Sequence, residues 1–125
     1  MNTDDNNIQK FYQNLGKLFY AVASIDGKVE DIEIETLKQS AEAEWSSEKE
    51  ASIIINMFDW LHKDQEYNAN TCFKSFLNYM ESHKALFTAS RKASILKTAR
   101  TVAHSFSRNN KSELILLAQL NLALK

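Results

Sequence analysis

Not one proline interrupts this chain, and glycine occurs at only two of its 125 positions, Gly16 and Gly27. Proline breaks helix interiors, whereas sheets and long loops need glycine, proline and other turn formers wherever the chain reverses. A sequence so poor in both reverses direction through short links between helices. The expectation is an all-α protein, and the length is that of about one domain. We therefore expect a compact single-domain bundle over 1–125, with residues 1–7 as a polar lead-in whose Asp4, Asp5 or Asn6 caps the first helix.

Apolar residues at helical spacing place the elements. Ile8, Phe11, Tyr12, Leu15, Phe19 and Val22, widened by Leu18 and Ile25, make the first stripe. Gly16 lies inside it, at a cost of up to about 1 kcal/mol relative to alanine, and points to close approach by a neighbouring helix. A turn at Asp26-Gly27 follows, and an acidic second helix restarts at Glu30, carries Ile32, Ile34, Leu37 and Ala41, and ends near Glu44. Ser47 and Glu50 form a capping box for a third helix, with Ala51, Ile54, Ile55, Phe58 and Leu61 inward and Trp60 on the flank. His62 to Asn70 reads as the longest loop. The fourth helix runs from about Thr71 to Ser82 on Phe73, Phe76, Leu77 and Met80, and Leu86 and Phe87 lie in a short link. The fifth spans about Ala89 to Ser107, with Ala93, Leu96, Ala99, Val102, Ala103 and Phe106 inward. The sixth, Lys111 to Leu124, is apolar nearly all round, and such a helix is central to a core or pairs with a partner.

Charge is divided unevenly along the chain. Residues 1–66 carry 14 Asp and Glu against 6 Lys and Arg, while residues 67–125 carry 2 against 9. The favoured reading is that the acidic and basic halves face one another, within the fold or between protomers; an external polyanion is the alternative. No glycine-rich phosphate loop and no interleaved aromatic and basic motif supports nucleic-acid binding. No apolar run approaches the roughly 20 residues of a membrane-spanning helix, and the acidic, amide-rich start is unlike a secretory leader. The single cysteine, Cys72, closes no internal disulfide, and the default expectation is a cytoplasmic protein.

Shifting the chain by 80 residues sets its first helical joint on its last without a gap. Leu15 falls on Ile95, Val22 on Val102, Ala23 on Ala103, Glu33 on Glu113, Ile34 on Leu114 and Leu37 on Leu117. This predicts a pseudo-symmetric bundle of the six helices, with an internal repeat, in which the two joints pack near each other.

The run Leu18-Phe19-Tyr20-Ala21-Val22-Ala23-Ser24-Ile25-Asp26-Gly27-Lys28-Val29, followed by Glu33-Ile34 opening the next helix, resembles the TerB-like family, the tellurite-resistance and DjlA N-terminal type of helical domain. The resemblance implies a bundle of about seven helices and an acidic cluster, an aspartate and a glutamate from each half, proposed to bind a cation. By position Asp26 and Glu33 correspond to the first pair and Glu113 to the second glutamate; Phe106 and Ser107 stand where the second aspartate and glycine would be.

Asp26, Glu33 and Glu113 are thus the candidate metal ligands. Against that role, hard cations want about six or more oxygen ligands, and all three carboxylates suit helix ends. Asp26 fits the turn, and Glu33 and Glu113, at third helical positions, can reach back to the cap, with Asn110 the cap of the last helix. His62, His83 and His104 share no metal-ligand spacing, Cys72 reads as half-buried and inert, and no serine lies in a Gly-x-Ser-x-Gly elbow. Arg100, Arg108 and Lys97 fall on a solvated face of the fifth helix.

No catalytic residue and no bound cofactor beyond a weakly held divalent cation is expected. The leading expectation is a non-enzymatic protein–protein interaction domain in a stress-response (tellurite-resistance-like) or envelope-associated system, with a homodimer as one form. The rivals are a divalent-cation module using Asp26, Glu33 and Glu113, and a polyanion or anionic-lipid binder using the basic half, in surface contact with a membrane.

Overall fold

The computed structural model describes residues 3–25, 29, 31–45, 48–64, 67–105 and 111–125, with backbone alone at 3–6, 33, 48 and 105. All regular elements among them are helical: α1 (Thr3–Ser24), α2 (Asp31–Glu44), α3 (Glu48–Asp64), α4 (Ala69–Ser82), a 3-10 turn (Lys84–Leu86), α5 (Ala89–Ser105) and α6 (Lys111–Ala123).

Helix α1 is the axis of the bundle. Its Phe11, Leu15, Leu18, Phe19 and Val22 are fully buried, and it packs chiefly against α3 and α4, then against α5 and, to a lesser extent, α6. Gly16 permits the α1–α3 approach, as expected. A Cβ there would lie 2.7 Å from Met57 Cβ and 2.8 Å from the Ile54 carbonyl oxygen. Phe87, in the link after the 3-10 turn, closes one end of the core with its edge-on rings against Phe11 at 5.1 Å and Phe76 at 5.9 Å.

Several boundaries differ from the sequence reading. The polar lead-in is helical from Thr3, so Asp4, Asp5 and Asn6 lie inside α1 rather than before it. Apolar periodicity cannot register such a turn, yet acidic residues at a helix start meet the positive end of its dipole. The expected loop from His62 to Asn70 is shorter: α3 continues to Asp64, and α4 begins at Ala69, where Asn68 caps it by accepting from the Thr71 N–H at 2.8 Å. Ser47, Asn110 and Phe106 lie outside the described residues. Ala93 is exposed rather than inward. Cys72 is buried rather than half-buried.

Acidic and basic halves do meet. Helix α2 packs against α5, and Glu44 Oε2 lies 3.1 Å from Lys97 Nζ. Lys97 is therefore tied across the fold rather than merely solvated. No described helix is long and apolar enough to cross a membrane.

The 80-residue repeat is visible in the helix bounds: α2 begins at Asp31 and α6 at Lys111. In the first helices of the two joints the buried stripes follow the same shift, with Leu15 and Ile95, Val22 and Val102, and Ala23 and Ala103 all buried, but in the second helices they do not. In the first joint Leu37, Ala41 and Trp45 are buried; in the second the buried residues are Leu116, Leu120 and Leu124, each 79 positions on. One residue is about 100° of helix rotation, so α6 is rolled by that much relative to its counterpart. Leu114, the repeat partner of Ile34, consequently points outward and is 63% exposed.

Candidate interaction surface

Helix α6 has two apolar faces. Its inner stripe, Leu116, Leu120 and Leu124, is buried against the bundle together with Glu113. Its outer stripe, Leu114, Ile115 and Leu122, is exposed at 63%, 50% and 67%, with exposed Ala118 between them. Residues 114, 118 and 122 recur every four positions, and 115 flanks them, so they form one continuous face. The small side chain of Ala118 at the middle lets another helix come near. Exposed Lys111 and Lys125 bracket this face at its two ends and enter none of the ion pairs formed by the described residues. Among the described elements α6 packs chiefly against α5 and then α1.

Scattered single apolar residues on a surface are ordinary, whereas these three large ones make a contiguous patch on one helical face. Ile32 on α2 illustrates the ordinary case. The sequence reading placed it in the α2 stripe, but it is 77% exposed. It sits five residues before Leu37, about 140° round the helix from the buried side. Its outward neighbours on α2 include Glu35, Gln39 and Glu42, all exposed.

The three expected metal ligands are not brought into one described cluster. Asp26 lies outside the described residues, and of Glu33 only the backbone, within α2, is described. Glu113 sits in the first turn of α6 and is 6% exposed, on the inner side of the helix. Among the described residues no group of three or more His, Cys, Asp or Glu could hold a metal ion. His104 is exposed, while His83 stacks on Tyr79 at 4.1 Å and places Nδ1 2.9 Å from the Tyr79 carbonyl oxygen.

A polar cluster that sequence reading missed joins α1 to α3 and α5. The Tyr12 hydroxyl donates to Glu50 Oε1, so Glu50 serves a tertiary bond as well as its place near the start of α3. Burial, reinforced by the Glu50 hydrogen bond and charge, pushes the Tyr12 hydroxyl up to about 12 despite the opposing Arg91. Arg91 lies 5.1 Å over the Phe11 ring and donates to the Leu86 carbonyl oxygen at 2.9 Å. Trp45 meets Tyr12 edge-on at 5.9 Å. These groups lock α1, α3, α5 and the end of α2 together. None of them pairs a nucleophile with a base in the manner of an acyl-transfer site. The Cys72 thiol is pushed up by burial, opposed by Lys17, which makes it a poor nucleophile.

No family model matches the chain, and no curated protein or solved structure matches it. The TerB-like resemblance rests on the Leu18–Val29 run and the Glu33-Ile34 helix start.

Proposed function

We propose that this chain is a non-catalytic helical interaction domain whose α6 outer face receives an amphipathic helix of another protein, one carrying acidic residues near both ends. The observation that carries the proposal is the apolar stripe of Leu114, Ile115 and Leu122, exposed to at least half on a helix whose opposite side is already buried. The lysines select the partner. An antiparallel pair of α6 helices centred on Ala118 sets Lys111 of each copy beside Lys125 of the other, and like charges across a contact are unfavourable. Acidic flanks on a foreign helix turn both lysines into attractive contacts. Helix-in-groove recognition of this kind is read through anchors at intervals of three and four residues. A stress-response or envelope-associated system is the setting that the TerB-like resemblance suggests, and the cytoplasm is the proposed location because the sequence offers one cysteine and no apolar span.

The test uses two labelled synthetic helices of the same leucine stripe, one flanked by glutamates and one by lysines, followed by fluorescence anisotropy. The glutamate-flanked helix binds at about micromolar Kd and the lysine-flanked one at least about tenfold more weakly. Leu122→Glu abolishes both, and the double variant Lys111→Glu, Lys125→Glu reverses the preference. Equal binding of both helices, or a dimer in light scattering that Leu122→Glu dissociates, overturns the proposal; the second result assigns the face to another copy of the chain.

A further inference from the structure

A cavity of about 280 Å³ lies among α1, α3 and the start of α4, on a part of the molecule separate from α6. Trp60 and Tyr67 wall it, with ring centroids 5.7 Å apart and planes inclined at 37°. Both rings are left partly in water, Trp60 at 51% and Tyr67 at 40% exposure. Lys17 of α1 contributes the cation, and Thr71, Cys72 and Ser75 of α4 line the cavity beside the apolar Met57 and Leu61 of α3.

The lysine is the unusual member. It is half-buried, and its Nζ makes one hydrogen bond, to Ser75 Oγ at 3.4 Å, with no ion pair to any described acid. Asp59 of α3 is held elsewhere, 2.9 Å from Lys63. The first turn of α4, which carries Thr71, has no acidic residue to offset its positive end. A partly buried lysine with no counter-ion among the described residues is stabilised by any anion that reaches it, because attraction rises as water is excluded. Aromatic walls around such a cation add flat apolar surface for a ring.

We infer that this cavity binds a small aromatic carboxylate, its ring against Trp60 and Tyr67 and its carboxylate accepting from Lys17 Nζ and the Ser75 hydroxyl. The volume is just below the roughly 300–1,000 Å³ usual for ligand sites, which suits one ring system and one acid group. A single ammonium beside hydroxyl donors matches a carboxylate's one charge, whereas a phosphate recruits arginines or a row of backbone N–H groups.

The experiment is an amide-resolved NMR titration of the full chain with indole-3-acetate, with indole as its neutral counterpart and with inorganic phosphate. Indole-3-acetate shifts the amides of Lys17, Tyr67, Thr71 and Ser75 and the Trp60 indole signal, saturably, with Kd on the order of 10⁻⁴ to 10⁻³ M for a ligand this small. Indole binds at least about fivefold more weakly, and Lys17→Met removes that advantage while leaving indole unchanged. Ser75→Ala weakens the acid about two- to fivefold. If Lys17→Met does not fold, the wild-type comparison of acid with indole decides. Absence of saturable shifts at these residues up to about 10 mM overturns the inference. Equal affinity for indole and the acid, or phosphate binding as tightly as the acid, overturns it too.

Discussion

Helices α2 and α6 hold equivalent places in the chain, each the second helix of a joint, yet they solve opposite problems. The outward residues of α2 include Glu35, Gln39 and Glu42, and its flanks are closed by α3 and α5. The outward residues of α6 include Leu114, Ile115 and Leu122, and among the described elements it rests chiefly on α5 and α1. An amphipathic helix has one face that water will accept, so its orientation is set once its core stripe is defined. A helix apolar all round has two usable inner faces, and packing decides between them. The roll of about 100° between the two helices is that decision made visible. The difference teaches that sequence repetition here preserved helix bounds while freeing one helix to turn a second apolar face outward.

The comparison breaks most readily inside the core. Leu37→Ala on α2 and Leu120→Ala on α6, both at fully buried sites, should each cost about 2–5 kcal/mol in urea unfolding. Leu122→Ser on the outer side of α6 should stay within about 0.5 kcal/mol of wild type. If the outer substitution costs as much as the inner one, α6 has no free face and the proposed docking surface is lost.

Much of this architecture was legible from side-chain spacing. Phe11, Leu15, Phe19 and Val22 on α1, and Ala51, Ile54, Phe58 and Leu61 on α3, are buried where helical periodicity placed them. The absence of proline sufficed for the fold class. The orientation of α6 was not legible, because Leu114 and Leu116 are equally apolar and only the tertiary neighbours distinguish them. Ile32 was misplaced for a related reason: an apolar residue beside Ile34 and Leu37 looks like core until the rotation of α2 is known. The cavity around Lys17 was hidden because this lysine on α1 lies 40 or more residues from the walls that α3 and α4 supply. Trp60, read as a flanking residue, was its one visible trace. The joint at Asp26 belongs to residues whose structure is not described, so its expected role with Glu33 and Glu113 is unaltered by the geometry.

A second test concerns the cover on α2. That cover depends on α3 lying close to α1, and Gly16 is where the two meet. Gly16→Ala drives a methyl into Met57 Cβ and the Ile54 carbonyl, a contact that backbone must relieve. Overpacking of this kind costs about 1–3 kcal/mol, more than the helix propensity that alanine restores. Hydrogen exchange should quicken in α3 and α2 before α6. A stabilised Gly16→Ala protein, or equal quickening of α6, would mean that the α1–α3 approach does not govern the cover of α2.

The smallest effect concerns charge, and it separates the two helices in kind. On α2, Glu44 is mostly buried, with 19% of its side chain exposed, while Lys97 is 72% exposed. A pair with one member in water contributes only about 0.2–1 kcal/mol, and screening by salt weakens it further. Lys97→Met, which keeps the aliphatic stem, should therefore cost less than about 1 kcal/mol at low salt and almost nothing near 1 M. On α6, Lys111→Met should leave stability unchanged at every salt concentration, since its charge faces the proposed partner rather than the fold. A salt-dependent loss at Lys111 equal to that at Lys97 would show that both helices use charge to hold the bundle, and the lysines that bracket the α6 stripe would then have a structural purpose instead of a selective one.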